Sequence, residues 1–293
     1  MKANVTSRTA QYMALFRALE TTRSPRKRLF ADPFASRFLD NGLKWAVRLC
    51  SIPGWRAFVE RIVRKKIPGA LSSGIARTKY IDELLLQSVD TGAQQVFILG
   101  AGFDTRGLRL PALKHLKVVE IDHPNTSAYK QAALRVHHMP ANIFYYQIDF
   151  NKQSLDQLAA QHHFDFSVPT AIIWEGVTNY LDKHAIDNTF SFLQRFAPGS
   201  TVIFTYVHQE VLRNPAAFLG GPRLLEDVAA LEERWTFGFE PEELAAYLGQ
   251  YHFALQQDQG AAQYRQRYLP ERSEKGYEFY RVACALRLPN EDE

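Results

Sequence analysis

Cysteine is scarce in this 293-residue chain, with Cys50 and Cys284 the only two. That is too few for a disulfide framework, and their separation does not match a metal-site spacing; both points suit a reducing cytoplasm. Long apolar runs are absent: nothing approaches the roughly 20 residues that span a bilayer. The N-terminus, M-K-A-N-V-T-S-R, has no apolar signal core, so secretion and a transmembrane segment are both disfavoured. No strong charge excess exists either. With 35 Lys and Arg against 31 Asp and Glu the net charge is +4, and no nucleic-acid partner is expected. Internal repeats, low-complexity tracts, a Walker run and a G-x-S-x-G nucleophile turn are also missing. The histidine pairs His137-His138 and His162-His163 lack any H-x-x-x-H spacing and point about 100° apart on a helix, so no metal is expected.

What is present describes a globular protein with a sizeable core, 46% hydrophobic and 13% aromatic. Residues 1–90 read as helices, from Thr6–Glu20 to Thr78–Val89, and form an expected N-terminal cap. Residues 91–293 form the expected core. Short apolar runs at 96–99, 118–121, 143–147, 171–174 and 201–206 alternate there with helical segments, and runs at 252–257 and 281–286 follow as an expected hairpin. This order predicts an α/β, Rossmann-like fold: a seven-stranded, mostly parallel sheet with an antiparallel strand at one side. A substrate lid is expected near 207–237. Segment 41–66 gathers Lys44, Arg48, Arg56, Arg61, Arg64, Lys65 and Lys66 against Glu60, interleaved with apolar residues. It reads as a solvated helix face, or as a surface for a membrane or an acidic partner.

Doubly wound sheets bind ligands at the carboxyl ends of their strands. Here those ends carry Gly100-Ala101-Gly102, Asp122, Asp149-Phe150 and Glu175-Gly176. A dinucleotide loop wants a third glycine where Thr105 stands, and Asp104 would repel a pyrophosphate. A ligand without phosphate and with a positive centre suits the loop better, and S-adenosylmethionine (SAM) is such a ligand. Gly100 and Gly102 would let the backbone approach its methionine part, and Asp122 would accept both ribose hydroxyls. Asp149 and Phe150 would serve the adenine.

The run L-G-A-G-F-D-T-R-G-L-R-L (99–110) resembles the signature of the leucine carboxyl methyltransferase family of class I SAM-dependent methyltransferases. Similar stretches follow in family order: T-A-Q-Y-M-A-L-F-R-A-L-E (9–20), L-F-A-D-P-F-A (29–35), A-R-T-K-Y-I-D (76–82), V-E-I-D-H-P (119–124), W-E-G-V-T-N-Y-L (174–181) and G-F-E-P-E-E-L (238–244). The resemblance, which fades after Tyr206, implies that Arg77 pairs with the SAM carboxylate and that Glu175 meets its ammonium. It also implies an O-methyltransferase, with a small molecule as acceptor in the bacterial branch and a protein C-terminus in the eukaryotic members.

A carboxylate acceptor is ionised at pH 7 and needs no base, whereas a phenol would benefit from one. Tyr206 and His208 are the candidate catalytic groups, as hydrogen-bond donors or, for His208, a base. Asn179 and Tyr180 are candidates for orienting substrate, and Arg17 and Arg223 for clamping a carboxylate. Two rival readings are a nicotinamide-dependent oxidoreductase and a non-catalytic scaffold of the same fold.

Overall fold

The structure, a computed structural model, describes residues 8–52, 54–66, 68–134, 140–149, 153–231, 233–271 and 274–290. Its centre is a seven-stranded sheet: β1 (Gln95–Leu99), β2 (Lys117–Asp122), β3 (Ile143–Gln147), β4 (Thr170–Trp174), β5 (Thr201–Val207), β6 (Phe253–Gly260) and β7 (Tyr280–Arg287). The spatial order is β3-β2-β1-β4-β5-β7-β6. The pairings among β1 to β5 are parallel, and β7 runs antiparallel between β5 and the edge strand β6.

Every residue of β1, β4 and β5 is buried, because helices cover both faces of the sheet. On one face Val96, Ile98, Val118, Ala171, Ile173 and Ile203 pack under α1 (Arg8–Thr21) and α4 (Ala70–Asp90). The other face carries Phe97, Leu99, Val119, Ile121, Ile172 and Phe204. Covering these are α7 (Leu155–His162), α8 (Lys183–Leu193) and α11 (Leu244–Gly249). Ser154 starts α7 with a reciprocal capping box to Gln157. Between them, along the chain, lie α2 (Asn41–Leu49), α3 (Trp55–Lys66), α5 (Arg106–Arg109), α6 (Pro124–Leu134), α9 (Glu210–Arg213) and α10 (Gly221–Ala230).

Two features depart from the sequence reading. A helix, α12 (Ala261–Tyr268), separates β6 from β7 where a hairpin was expected. It packs on α4, with Tyr264 OH 2.9 Å from Ser73 Oγ and its ring stacked 6.3 Å from that of Tyr80. Moreover, α4 lies directly on the sheet, so the helical N-terminal part shares one core with the strands. After β5 the chain folds α9 and α10 into a third apolar cluster of Val207, Val211, Leu224, Val228, Trp235, Phe279 and Tyr280. This cluster sits over the carboxyl ends of the strands, on the side of Glu175.

Candidate functional site

Strand order reverses between β1 and β4, and the crevice outside their carboxyl ends is where an α/β sheet of this type receives a ligand. Gly100 and Gly102, following β1, take left-handed φ values of +63° and +47°. Their surroundings differ. A Cβ on Gly100 would run into the Val177 side chain, whereas one on Gly102 would meet nothing nearer than Gly100 O at 3.8 Å and Ala10 Cβ at 3.9 Å. Gly100 thus serves packing, whereas a Cβ on Gly102 would make only ordinary contacts.

Asp122, ending β2, holds this loop in shape. Its Oδ2 accepts the Gly102 N–H, and its Oδ1 accepts the His123 N–H at 2.6 Å. Burial raises its pKa, and the two N–H donors oppose that rise. A carboxylate has about four acceptor positions, so both oxygens keep capacity for further donors. Asp149 lies half-buried two residues after β3, and Phe150 lies outside the described residues.

Behind the loop is a buried ionic network. Glu175, ending β4, accepts Arg77 Nε on Oε1 at 2.9 Å and meets Arg106 Nη2 with Oε2 at 2.9 Å. Arg106 continues to Asp82 at 2.8 Å and to Asp104, and Arg109 closes on both Asp82 oxygens at 2.7 Å. Burial disfavours every charge here, yet the guanidiniums prevail. Arg106, then Arg77, hold Glu175 below the ordinary carboxylate range, and Arg106 draws Asp104 down to about 2. Arg77 is further fixed by Met13 Sδ at 3.2 Å and by the Tyr280 ring, 4.5 Å from its Cζ. The same network corrects the sequence reading of Asp104. Its charge is turned inward and matched by Arg106, so it offers little repulsion to a bound anion.

Other expected residues are placed as follows. Arg17 is buried, with Nε on Asp32 at 2.8 Å and Nη2 on Phe103 O at 2.5 Å; committed to joining α1 to the glycine loop, it is no substrate clamp. Tyr206 is fully buried, and its hydroxyl donates to Asp258 at 2.7 Å and accepts from Arg281 at 2.9 Å. That engagement ties β5 to β6 and β7 and takes the hydroxyl away from the crevice. His208 stands at the start of α9, Nδ1 accepting the Glu210 N–H at 3.2 Å with Glu240 Oε2 3.4 Å away. Arg223 is exposed on α10, beside a small hollow that Tyr277 and Phe279 also line.

Asn179 and Tyr180 follow Glu175 closely in the chain, and Tyr180 packs against the third apolar cluster. Asn179 is buried and its Oδ1 has no hydrogen-bond partner. Burial pushes the Tyr180 phenol up to about 12. Next to them stands an aromatic wall that sequence reasoning missed: Trp235 lies 6.0 Å from Phe279 and 6.2 Å from Tyr280, and Tyr277 is 6.0 Å from Tyr280. Tyr277 holds a left-handed φ of +67°, uncommon for a side chain of this size. Arg106 and Arg109 were missed as well, although their i, i+3 spacing in the loop motif is the signal that both share one helical face.

Comparison with known proteins agrees with this geometry. The family model described as leucine carboxyl methyltransferase matches residues 10–194. A relative from Mycobacterium ulcerans is 30% identical over 83% of this chain and 82% of its own, and one from Mycobacterium marinum is 32% identical over 71% and 67%. Both are provisionally named S-adenosyl-L-methionine-dependent methyltransferases. Among solved structures, a provisionally assigned methyltransferase from Thermobifida fusca superposes with a TM-score of 0.60 at 17% identity, over 98% of this chain and 97% of that one. A DUF574 family protein from Streptomyces avermitilis gives 0.59 at 14%, over 94% and 97%.

Proposed function

The chain belongs to the leucine carboxyl methyltransferase family and is a SAM-dependent methyltransferase, and we propose that it methylates an oxygen of a small molecule, foremost a carboxylate on an apolar or aromatic body. One observation carries this reading. The cation–anion pair Arg77 and Glu175 stands at the strand reversal together with Gly102 and Asp122, whose carboxylate accepts the Gly102 N–H.

These residues fit the donor by their chemistry. Arg77 would take its amino-acid carboxylate, Glu175 its ammonium, Asp122 the ribose hydroxyls and Asp149 the adenine edge. Gly102 leaves room for close approach of the backbone, and Gly100 sets the turn. Bound SAM supplies a methyl on a sulfonium, which needs only an aligned nucleophile.

The protein's task is then alignment and the exclusion of water. Holding the acceptor oxygen in line can supply roughly 7–11 kcal/mol of the barrier. No base is required for a carboxylate, and the residues by the crevice suit that case. With its pKa at about 12, Tyr180 keeps its proton and donates a hydrogen bond to the acceptor. The unpartnered Oδ1 of Asn179 would accept one from a hydroxyl or amide of the acceptor. Trp235, Tyr277, Phe279 and Tyr280 would pack its body. Thr9 of α1 hydrogen-bonds Glu233, so cap and lid meet across this crevice, and parting them would release product.

The test is methyl transfer from SAM with a labelled methyl to a panel of carboxylic acids and phenols. Base-labile label, the mark of a methyl ester, supports the carboxylate reading. Base-stable label on phenols alone would replace it with ether formation.

A further inference from the structure

Helix α3 wears its apolar side outward. Trp55, Phe58 and Ile62, at i, i+3 and i+7, are 47%, 55% and 44% exposed. Its inner side carries Val59 and Val63, packed on the core, and the buried Glu60, which receives Arg23, Arg56 and Arg64. Helix α2 and the turn after it extend the apolar side with Trp45, 62% exposed, and Ile52, 48% exposed. Five of the eleven large hydrophobic residues exposed among the described residues therefore fall within 45–62, so the exposure is concentrated rather than scattered.

The rim of this patch has one sign. Lys44, Arg48, Arg61, Lys65 and Lys66 border it, and none of them makes an ion pair among the described residues. The one acid in the segment, Glu60, is turned inward. Beside α2, Lys44 and Arg48 also line an open hollow of about 510 Å³ with Arg37, Ser36 and Ser51. Val47 and Ala133 complete its lining, and its charged residues are all cationic.

We propose that α2 and α3 dock this protein on an anionic phospholipid surface. Tryptophan settles at the boundary between headgroups and acyl chains, and lysine and arginine reach past it to the phosphates. A basic rim around a shallow apolar ridge is what such a surface recognises. A protein partner fits less well. The ridge exposes on the order of 550 Å² of apolar area, about two-thirds of what one side of a stable interface buries, whereas a bilayer needs only the tips of the side chains.

The experiment is sedimentation of the full chain with vesicles of phosphatidylcholine alone and of phosphatidylcholine and phosphatidylglycerol in equal parts. Binding is expected to the anionic vesicles only, weakened by salt, and at least tenfold weaker for Trp55→Ala/Phe58→Ala. A second variant, Arg61→Gln/Lys65→Gln, is expected to lose several-fold while keeping a hydrophobic ridge. Both pairs are exposed, so unchanged circular dichroism and an unchanged melting temperature certify the fold. Failure to sediment with anionic vesicles at low salt would overturn the proposal. So would equal binding by the first variant, or a concentration-dependent dimer that the variant abolishes without vesicle binding in the native chain.

Discussion

Arg106 meets Glu175 at 2.9 Å from behind the glycine loop, so the residue proposed to hold a ligand's ammonium is itself held by a guanidinium that no ligand needs to touch. Arg106 also faces Asp82 and Asp104. Replacing it by leucine strands the Asp104 carboxylate in a buried site and leaves Glu175 to Arg77 and Asp82 to Arg109 alone, and a loss of about 3–5 kcal/mol is expected. Chemical denaturation of Arg106→Leu checks this, with Arg106→Lys expected to recover only part because it lacks the planar fork.

Gly100 and Gly102 separate packing from binding. Gly100→Ala meets both a left-handed φ and the Val177 side chain, so a loss of about 2–4 kcal/mol is expected. Gly102→Ala meets the φ strain without a clash and should cost about 1 kcal/mol. Its larger effect should be on SAM affinity, measured by titration calorimetry on the folded variant.

Tyr206→Phe should change stability rather than chemistry. It removes the hydroxyl shared by Asp258 and Arg281, at a cost of about 1–2 kcal/mol. Methyl-transfer rates at saturating SAM are expected to stay within about twofold of the native value, since the hydroxyl is already engaged by Asp258 and Arg281.

The response to acid follows from Asp104. Its folded pKa, about 2, lies below the value near 3.9 in an unfolded chain. Its contribution of about 2–3 kcal/mol is therefore present above pH 4 and lost as pH falls toward 2. Glu120 works with the opposite sign. Burial, only partly offset by Lys130, lifts its folded pKa to about 7, so the folded state binds its proton more tightly. The stability gained from that is full below about pH 4 and lost as pH rises through 7. Denaturation midpoints from pH 2 to 8 should rise to a maximum between these limits, and Asp104→Asn should flatten the acid side.

Much of the fold was legible because β1 to β5 are short apolar runs and the helices between them are periodic. Strand ends and their residues, Gly100, Gly102, Asp122, Asp149 and Glu175, follow from that alternation. Charged residues misled where their partners are distant in sequence. Arg17 reads as a clamp for a substrate carboxylate until the chain turns back and brings Asp32 to it. Tyr206 lies on a strand buried on both faces, and such a strand carries no alternation to say which way a side chain points. The helix α12, A-A-Q-Y-R-Q-R-Y, is short and polar and carries no apolar stripe to announce it between the last two strands. The aromatic wall joins Trp235 to Phe279 and Tyr280 across more than forty positions, and no local pattern announces such a contact.

The central claim is that the crevice at the strand reversal binds SAM through Asp122. Titration calorimetry of S-adenosylhomocysteine into the native protein and Asp122→Asn tests it most directly, with circular dichroism confirming that both are folded. One site per chain is expected, at least tenfold weaker in the variant, because the neutral amide loses the charge-assisted hydrogen bonds. Equal affinity in the two proteins, or no binding by a folded native chain, would contradict the account.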